Sequence, residues 1–150
     1  MERTYITNDA IEALHNLAIM RDETKLREES DRIYKALKAD LQDVMDSKDD
    51  VRIMRVVDRK IGKTYSLIRL ACEYNIPIVP HKNLERMYRD MAREEFGKAI
   101  NVITIRKGGY AKGRYDIVLK DEGVSTQEVI DYFSPYKTKI IGVSSLFERW

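Results

Sequence analysis

The run "VRIMRVVDRKIGKTYSLIRL", residues 51 to 70, changes its period halfway, and that change constrains the fold more than any other feature of the chain. "VRIMRVV" alternates and is rich in β-branched residues, which reads as a strand. The loop "DRKIGK" interrupts it, and "TYSLIRLACEYN" then carries apolar residues at helical steps and ends at Asn75. A strand feeding a helix is half of a parallel crossover unit. The same alternation continues downstream. "IPIVP" reads as a short buried strand, "NLERMYRDMAREEFG" as an amphipathic helix closed by Gly97, and "INVITI" as a third strand. "YDIVLKDEG" reads as a fourth strand with acids at its end, "STQEVIDYF" as a capped helix and "KIIGVSS" as a fifth strand. This order predicts an α/β fold, a three-layer α-β-α domain with a mostly parallel five-stranded sheet.

Ahead of that core, no proline or glycine occurs between Asn8 and Lys48. The apolar residues Ile11, Leu14, Leu17 and Ala18, then Leu26, Ile33, Leu37, Leu41 and Val44, recur at three- and four-residue steps. We read residues 1–50 as a helical pair packed on a core of residues 51–150. "TND" caps the first helix, and "RDET" is the expected break, with Asp22 or Thr24 capping the second. The series Leu26, Ser30, Ile33, Leu37, Asp40, Val44 follows a heptad but has polar residues on its seam, so packing onto the domain is expected over dimerisation.

The one cysteine, Cys72, lies in the apolar run "LIRLAC", cannot form an intramolecular disulfide and is expected to be a core thiol. No apolar run approaches the ~20 residues that cross a bilayer. The N-terminus has no basic region followed by an apolar core, so neither export nor a membrane partner is expected. The expected location is cytoplasmic, the host cytoplasm if the chain is phage-encoded. With 27 basic and 25 acidic residues the formal charge is +2, so only the local distribution of charge informs about partners. Residues 51 to 63 hold five basic residues against Asp58 alone, and residues 106 to 114 hold four and no acid.

In a strand-loop-helix setting a glycine-lysine loop can hold phosphate. Backbone N–H groups and the helix start present partial positive charge, a lysine reaches the outer phosphates, and a Ser or Thr holds Mg²⁺. Gly62, Lys63 and Thr64 fill those roles, although Val57 stands where G-x-x-x-x-G-K-[ST] has its first glycine. Downstream, the strand ending in Asp121 and Glu122 offers one carboxylate to the magnesium shell and one to polarise a water. A third element, the strand "KIIGVSS", ends in Ser144 and Ser145.

The run Asp58-Arg59-Lys60-Ile61-Gly62-Lys63-Thr64 resembles the deviant loop of phage terminase large-subunit ATPases, roughly S-R-Q-x-G-K-[ST], which also lacks the first glycine. The likeness continues through "IVLKDEG" and "GVSS", and "YNIPIVPHKNLERMYRDMA" is similar to the strand and helix after the loop in terminase and helicase-like ATPases. It covers about residues 51 to 147. The resemblance implies a minimal ATPase core that uses ATP and Mg²⁺. Arg59, Lys60, Gly62, Lys63 and Thr64 would contact nucleotide, and Thr64 and Asp121 would hold magnesium. Glu122 would activate water, Arg59 would stabilise phosphoryl charge in cis, and Ser144 or Ser145 would sense the terminal phosphate and couple hydrolysis to movement.

The loop "RKGGYAKGRY" sets Arg106, Lys107, Lys112 and Arg114 around Tyr110, a cationic and aromatic hairpin suited to phosphates or unstacked bases of DNA or RNA. His15 and His81 have no metal-site spacing. Two functions follow. The first is a Mg²⁺-dependent, ATP-binding P-loop NTPase acting with nucleic acid, of the packaging or replication type. The second is a non-hydrolysing P-loop scaffold that binds protein, as an inhibitor or accessory factor. Either could work as a homo-oligomer or within a larger phage or host complex.

Overall fold

The computed structural model describes residues 8–56, 62–145 and 148, with side chains from residue 27 onward. In chain order it comprises α1 (Asn8–Asp46), β1 (Val51–Val56), α2 (Lys63–Tyr74), β2 (Ile78–Val79), α3 (Glu85–Phe96), β3 (Ile117–Lys120), α4 (Thr126–Phe133), a 3₁₀ turn (Ser134–Tyr136) and β4 (Lys139–Ser145). The four strands form one sheet in the order β1-β4-β3-β2 with every pairing parallel.

Strand alternation sends successive side chains to opposite faces, and the two faces carry two cores. Met54, Ile78, Leu119, Ile141 and Val143 pack under Ile33, Leu37 and Leu41 of α1, Leu67 and Ile68 of α2, and Tyr88 of α3. Ile53, Val79, Val118 and Ile140 pack on the other side with Ile105, Ala111, and Val129 and Phe133 of α4. Leu67, Ile141 and Leu119 are fully buried. Truncating any one of them to Ala removes contacts worth roughly 2–5 kcal/mol. Cys72 is a buried thiol of the first core, and burial raises its pKa.

The helix ends follow local chemistry. Asn75 and Gly97 close α2 and α3 in the left-handed conformation, at φ 55° and 63°. The Ser125 hydroxyl caps α4 by accepting from Glu128 N–H at 3.4 Å. At the end of α1 the Lys139 ammonium donates to the carbonyls of Val44 and Ser47, satisfying orphan acceptors from across the fold.

Two expectations are corrected. The helical pair is one continuous helix, Asn8–Asp46, of 39 residues. Asp22 and Thr24 are capping types but not breakers, and with no Gly or Pro nearby nothing stops the hydrogen-bond ladder. Ile33, Tyr34, Leu37, Leu41 and Val44 supply its buried stripe. The sheet has four strands among the described residues, not five. "INVITI" contributes only a bridge of Val102 to Ile78, with Ile78 N–H donating to the Asn101 carbonyl and Ile103 N–H to the Ile78 carbonyl, both at 2.9 Å. The neighbour it would pair with, β2, is two residues long between Pro77 and Pro80, whose ring nitrogens cannot donate. No described helix is long and apolar enough to cross a membrane.

Candidate functional site

Gly62 precedes α2 at φ 65°, ψ 33°, the left-handed region where a side chain is strained. A Cβ there would also stand 3.3 Å from Ser30 of α1, whose hydroxyl meets that of Ser66 at 3.1 Å. Glycine is thus required twice over, by backbone angle and by the close approach of α1. Among the described residues no side chain caps the helix start, whose N–H groups carry partial positive charge. Lys63, the first helical residue, is 5% exposed.

The partners of the Lys63 and Thr64 side chains come from the end of β3. The chain leaves the strand at Lys120 and places Asp121 and Glu122 at the carboxyl edge of the sheet. Lys63 Nζ lies 2.6 Å from Glu122 Oε2, and Thr64 Oγ1 donates to Asp121 Oδ2 at 2.6 Å. The buried Tyr88 hydroxyl of α3 donates to the same Oδ2, and Glu122 N–H donates to Oδ1 at 2.7 Å. Tyr88 in turn accepts from His81 N–H at 3.0 Å. Burial first, and then the Asp121 charge, push the Tyr88 phenol well above its ordinary range.

Between β1 and β3 runs β4, and its tip separates the two serines. Ser145 lines a hollow of about 450 Å³ together with Thr64, His81, Tyr88, Asp121 and Glu122. Ser144 is fully buried, does not line that hollow, and its hydroxyl has no hydrogen-bond partner among the described residues. The hollow has an apolar lip of Leu84 and Met87, which are 38% and 40% exposed. His81 closes another side, where a Cβ on Gly123 would overlap its ring.

The structure thus brings Gly62, Lys63, Thr64, Asp121, Glu122 and Ser145 to one edge, joining Lys63 to Glu122 across 59 positions of sequence. Arg59 and Lys60 lie outside the described residues. The cationic loop is elsewhere: Arg106, Lys107, Tyr110, Lys112 and Arg114 are all exposed, Tyr110 at 64%, and none lines the hollow. The loop lies along α4, where Ala111 N–H donates to the Tyr132 carbonyl at 2.7 Å. Sequence reasoning placed Tyr88 in an amphipathic helix without seeing its tie to Asp121. The available signal was that a buried tyrosine hydroxyl needs a partner. It also passed over Lys120 in the strand "YDIVLKDEG", a side chain that is fully buried.

Against known family models, curated proteins and solved structures, the chain has no match.

Proposed function

We propose that the chain binds a nucleoside triphosphate, ATP, with Mg²⁺ at the start of α2 and hydrolyses its terminal phosphate, as a P-loop NTPase acting with nucleic acid. One observation carries the reading: the lysine and threonine that open α2 meet the acid pair of β3 at 2.6 Å each, beside a hollow of about 450 Å³. Two oxygen donors of hard character, Thr64 Oγ1 and Asp121 Oδ2, suit magnesium, which takes one or two protein groups and fills the rest of its shell with water and phosphate oxygens. Those residues fit the ion, which when bound would neutralise charge on the phosphate oxygens.

The chain's own residues supply the remainder. Without ligand, Lys63 is held by Glu122. A phosphate oxygen entering at the helix start takes over the ammonium, and Glu122 is released to accept a proton from a water facing the terminal phosphate. Tyr88 keeps its hydrogen bond to Asp121 and so fixes that carboxylate's orientation. Ser145, on the strand between loop and acids, is the β4 serine that lines the hollow, alongside Thr64, Tyr88 and the acid pair. The exposed cations of residues 106–114 are the candidate contact for DNA or RNA.

One observation favours the second reading, a scaffold that binds protein without turnover. Both carboxylates of the acid pair already have partners inside the protein, with three donors on Asp121 and an ammonium on Glu122. Thermal unfolding with and without ATP and Mg²⁺, followed by a phosphate-release assay, separates the two. A ligand at 100 times its dissociation constant adds about 2.7 kcal/mol. Stabilisation with phosphate release supports the hydrolase, stabilisation without release supports the scaffold, and no stabilisation overturns the nucleotide site.

A further inference from the structure

We propose that Lys120 is a positioning residue for hydrolysis, and that Glu148 anchors both ends of the turn that carries the acid pair. The inference rests on the nucleotide reading above and adds residues that reading did not use.

The register of β3 with β4 ends at Lys120 and Gly142, where the backbones approach so closely that a Cβ on Gly142 would lie 2.1 Å from the Lys120 carbonyl oxygen. Beyond that pair the β3–β4 register stops, with Asp121 and Glu122 following one strand and Ser144 and Ser145 ending the other. The Lys120 ammonium bridges them: Nζ donates to the Asp121 carbonyl at 3.0 Å and to the Val143 carbonyl at 2.8 Å. Its third proton has Glu148 Oε2 at 3.6 Å. The side chain is 0% exposed. Withdrawing an ammonium from water is unfavourable unless it is paired and hydrogen-bonded, and an unbranched apolar side chain would fill the same space without that penalty. An apolar chain could not hold two carbonyls on neighbouring strands.

Glu148 completes the arrangement. Its Oε1 accepts from the Thr126 backbone N–H at 2.5 Å and its Oε2 from the Thr126 hydroxyl at 3.1 Å. Lys120 precedes the acid turn and Thr126 follows it, so a single carboxylate fastens the turn at entry and exit. Glu122 reaches the Lys63 ammonium from within that fastened turn. The ammonium of Lys120 thereby sets the distance between the acid pair and the serine tip, which is the geometry that a water attacking a terminal phosphate requires.

The test compares the full chain with Lys120→Met, Glu148→Gln and the double variant, measuring the dissociation constant of ATP with Mg²⁺ by calorimetry and steady-state phosphate release at saturating ATP. We expect each variant to bind within about threefold of the parent. We expect kcat to fall at least tenfold for Lys120→Met and about fivefold for Glu148→Gln. The double variant should lose no more than Lys120→Met alone, since the two groups act as a unit. If Lys120→Met does not fold, Glu148→Gln decides. Turnover within twofold of the parent in the folded variants overturns the inference, and so does a parallel loss of binding and turnover, which marks a merely structural role. A parent that does not bind ATP instead sinks the nucleotide reading, and this inference with it.

Discussion

The acid-lysine cluster and the cationic loop are both rich in charge, yet they are built oppositely. Lys63 is 5% exposed, Asp121 4%, and the buried Tyr88 1%, each with named partners. Residues 106–114 are mostly in solvent, and among the described residues their one ion pair is loose, Arg114 to Asp116 at 4.0 Å. A charge in water is cheap to change and acts through its field, which salt screens. A charge in the first setting is wired to its neighbours, so one substitution disturbs several bonds at once. The two regions therefore predict different kinds of failure.

The sharpest break is at Lys63. Replacing it with Ala should abolish the nucleotide-dependent stabilisation, about 2.7 kcal/mol at 100 times the parent's dissociation constant; a melting shift equal to the parent's would remove Lys63 from the phosphate site. Next, Glu122→Gln should keep that shift while phosphate release falls roughly 100- to 10,000-fold, the range expected for losing a general base. Turnover at the parental rate would assign the base elsewhere.

Smaller effects are expected from Tyr88→Phe, which leaves Asp121 one donor short and should lower unfolding free energy by about 1–3 kcal/mol in urea titration. The same residue gives a pH signature. Its folded pKa is raised above the ordinary value near 10. The folded chain therefore keeps a proton that the unfolded chain releases, and the stability this contributes is intact below pH 10 and declines as pH climbs beyond it. Melting temperatures of parent and Tyr88→Phe should converge on that alkaline limb; curves that stay parallel would detach Tyr88 from Asp121.

Least affected in stability should be the loop. Single Ala replacements of Arg106, Lys107, Lys112 or Arg114 should stay within about 0.5 kcal/mol. If the loop binds nucleic acid, each should flatten the log-log salt dependence of binding by roughly 0.7–0.9 for every phosphate the variant no longer neutralises. An unchanged slope in all four would leave the comparison with one functional region instead of two.

Legibility in the sequence divided along physical lines. α2, α3 and α4 were readable to within a few residues because Asn75, Gly97 and Ser125 mark their ends with local chemistry. The site residues near α2 and β3 were readable because a strand tip and a helix start sit at the same sheet edge in any parallel crossover. What escaped was non-local. Capping types at "RDET" suggested a break that the absence of Gly and Pro argues against, and the two-residue length of β2 follows from its flanking prolines and from what it must pair with. The choice between Ser144 and Ser145 depends on which face of β4 looks at the hollow, and the ties of Tyr88 and Lys120 depend on partners 33 and 23 residues away.

The strand order carries a consequence for biogenesis. β4 is the last of the four strands in chain order, yet it sits between β1 and β3. During synthesis, which proceeds from the N-terminus, the first strand has no neighbour in the sheet until the fourth emerges and wedges in beside it. A nascent chain stalled short of β4 would carry Lys63 and the acid pair but lack Ser145, which lines the hollow, and the Val143 carbonyl that holds the Lys120 ammonium.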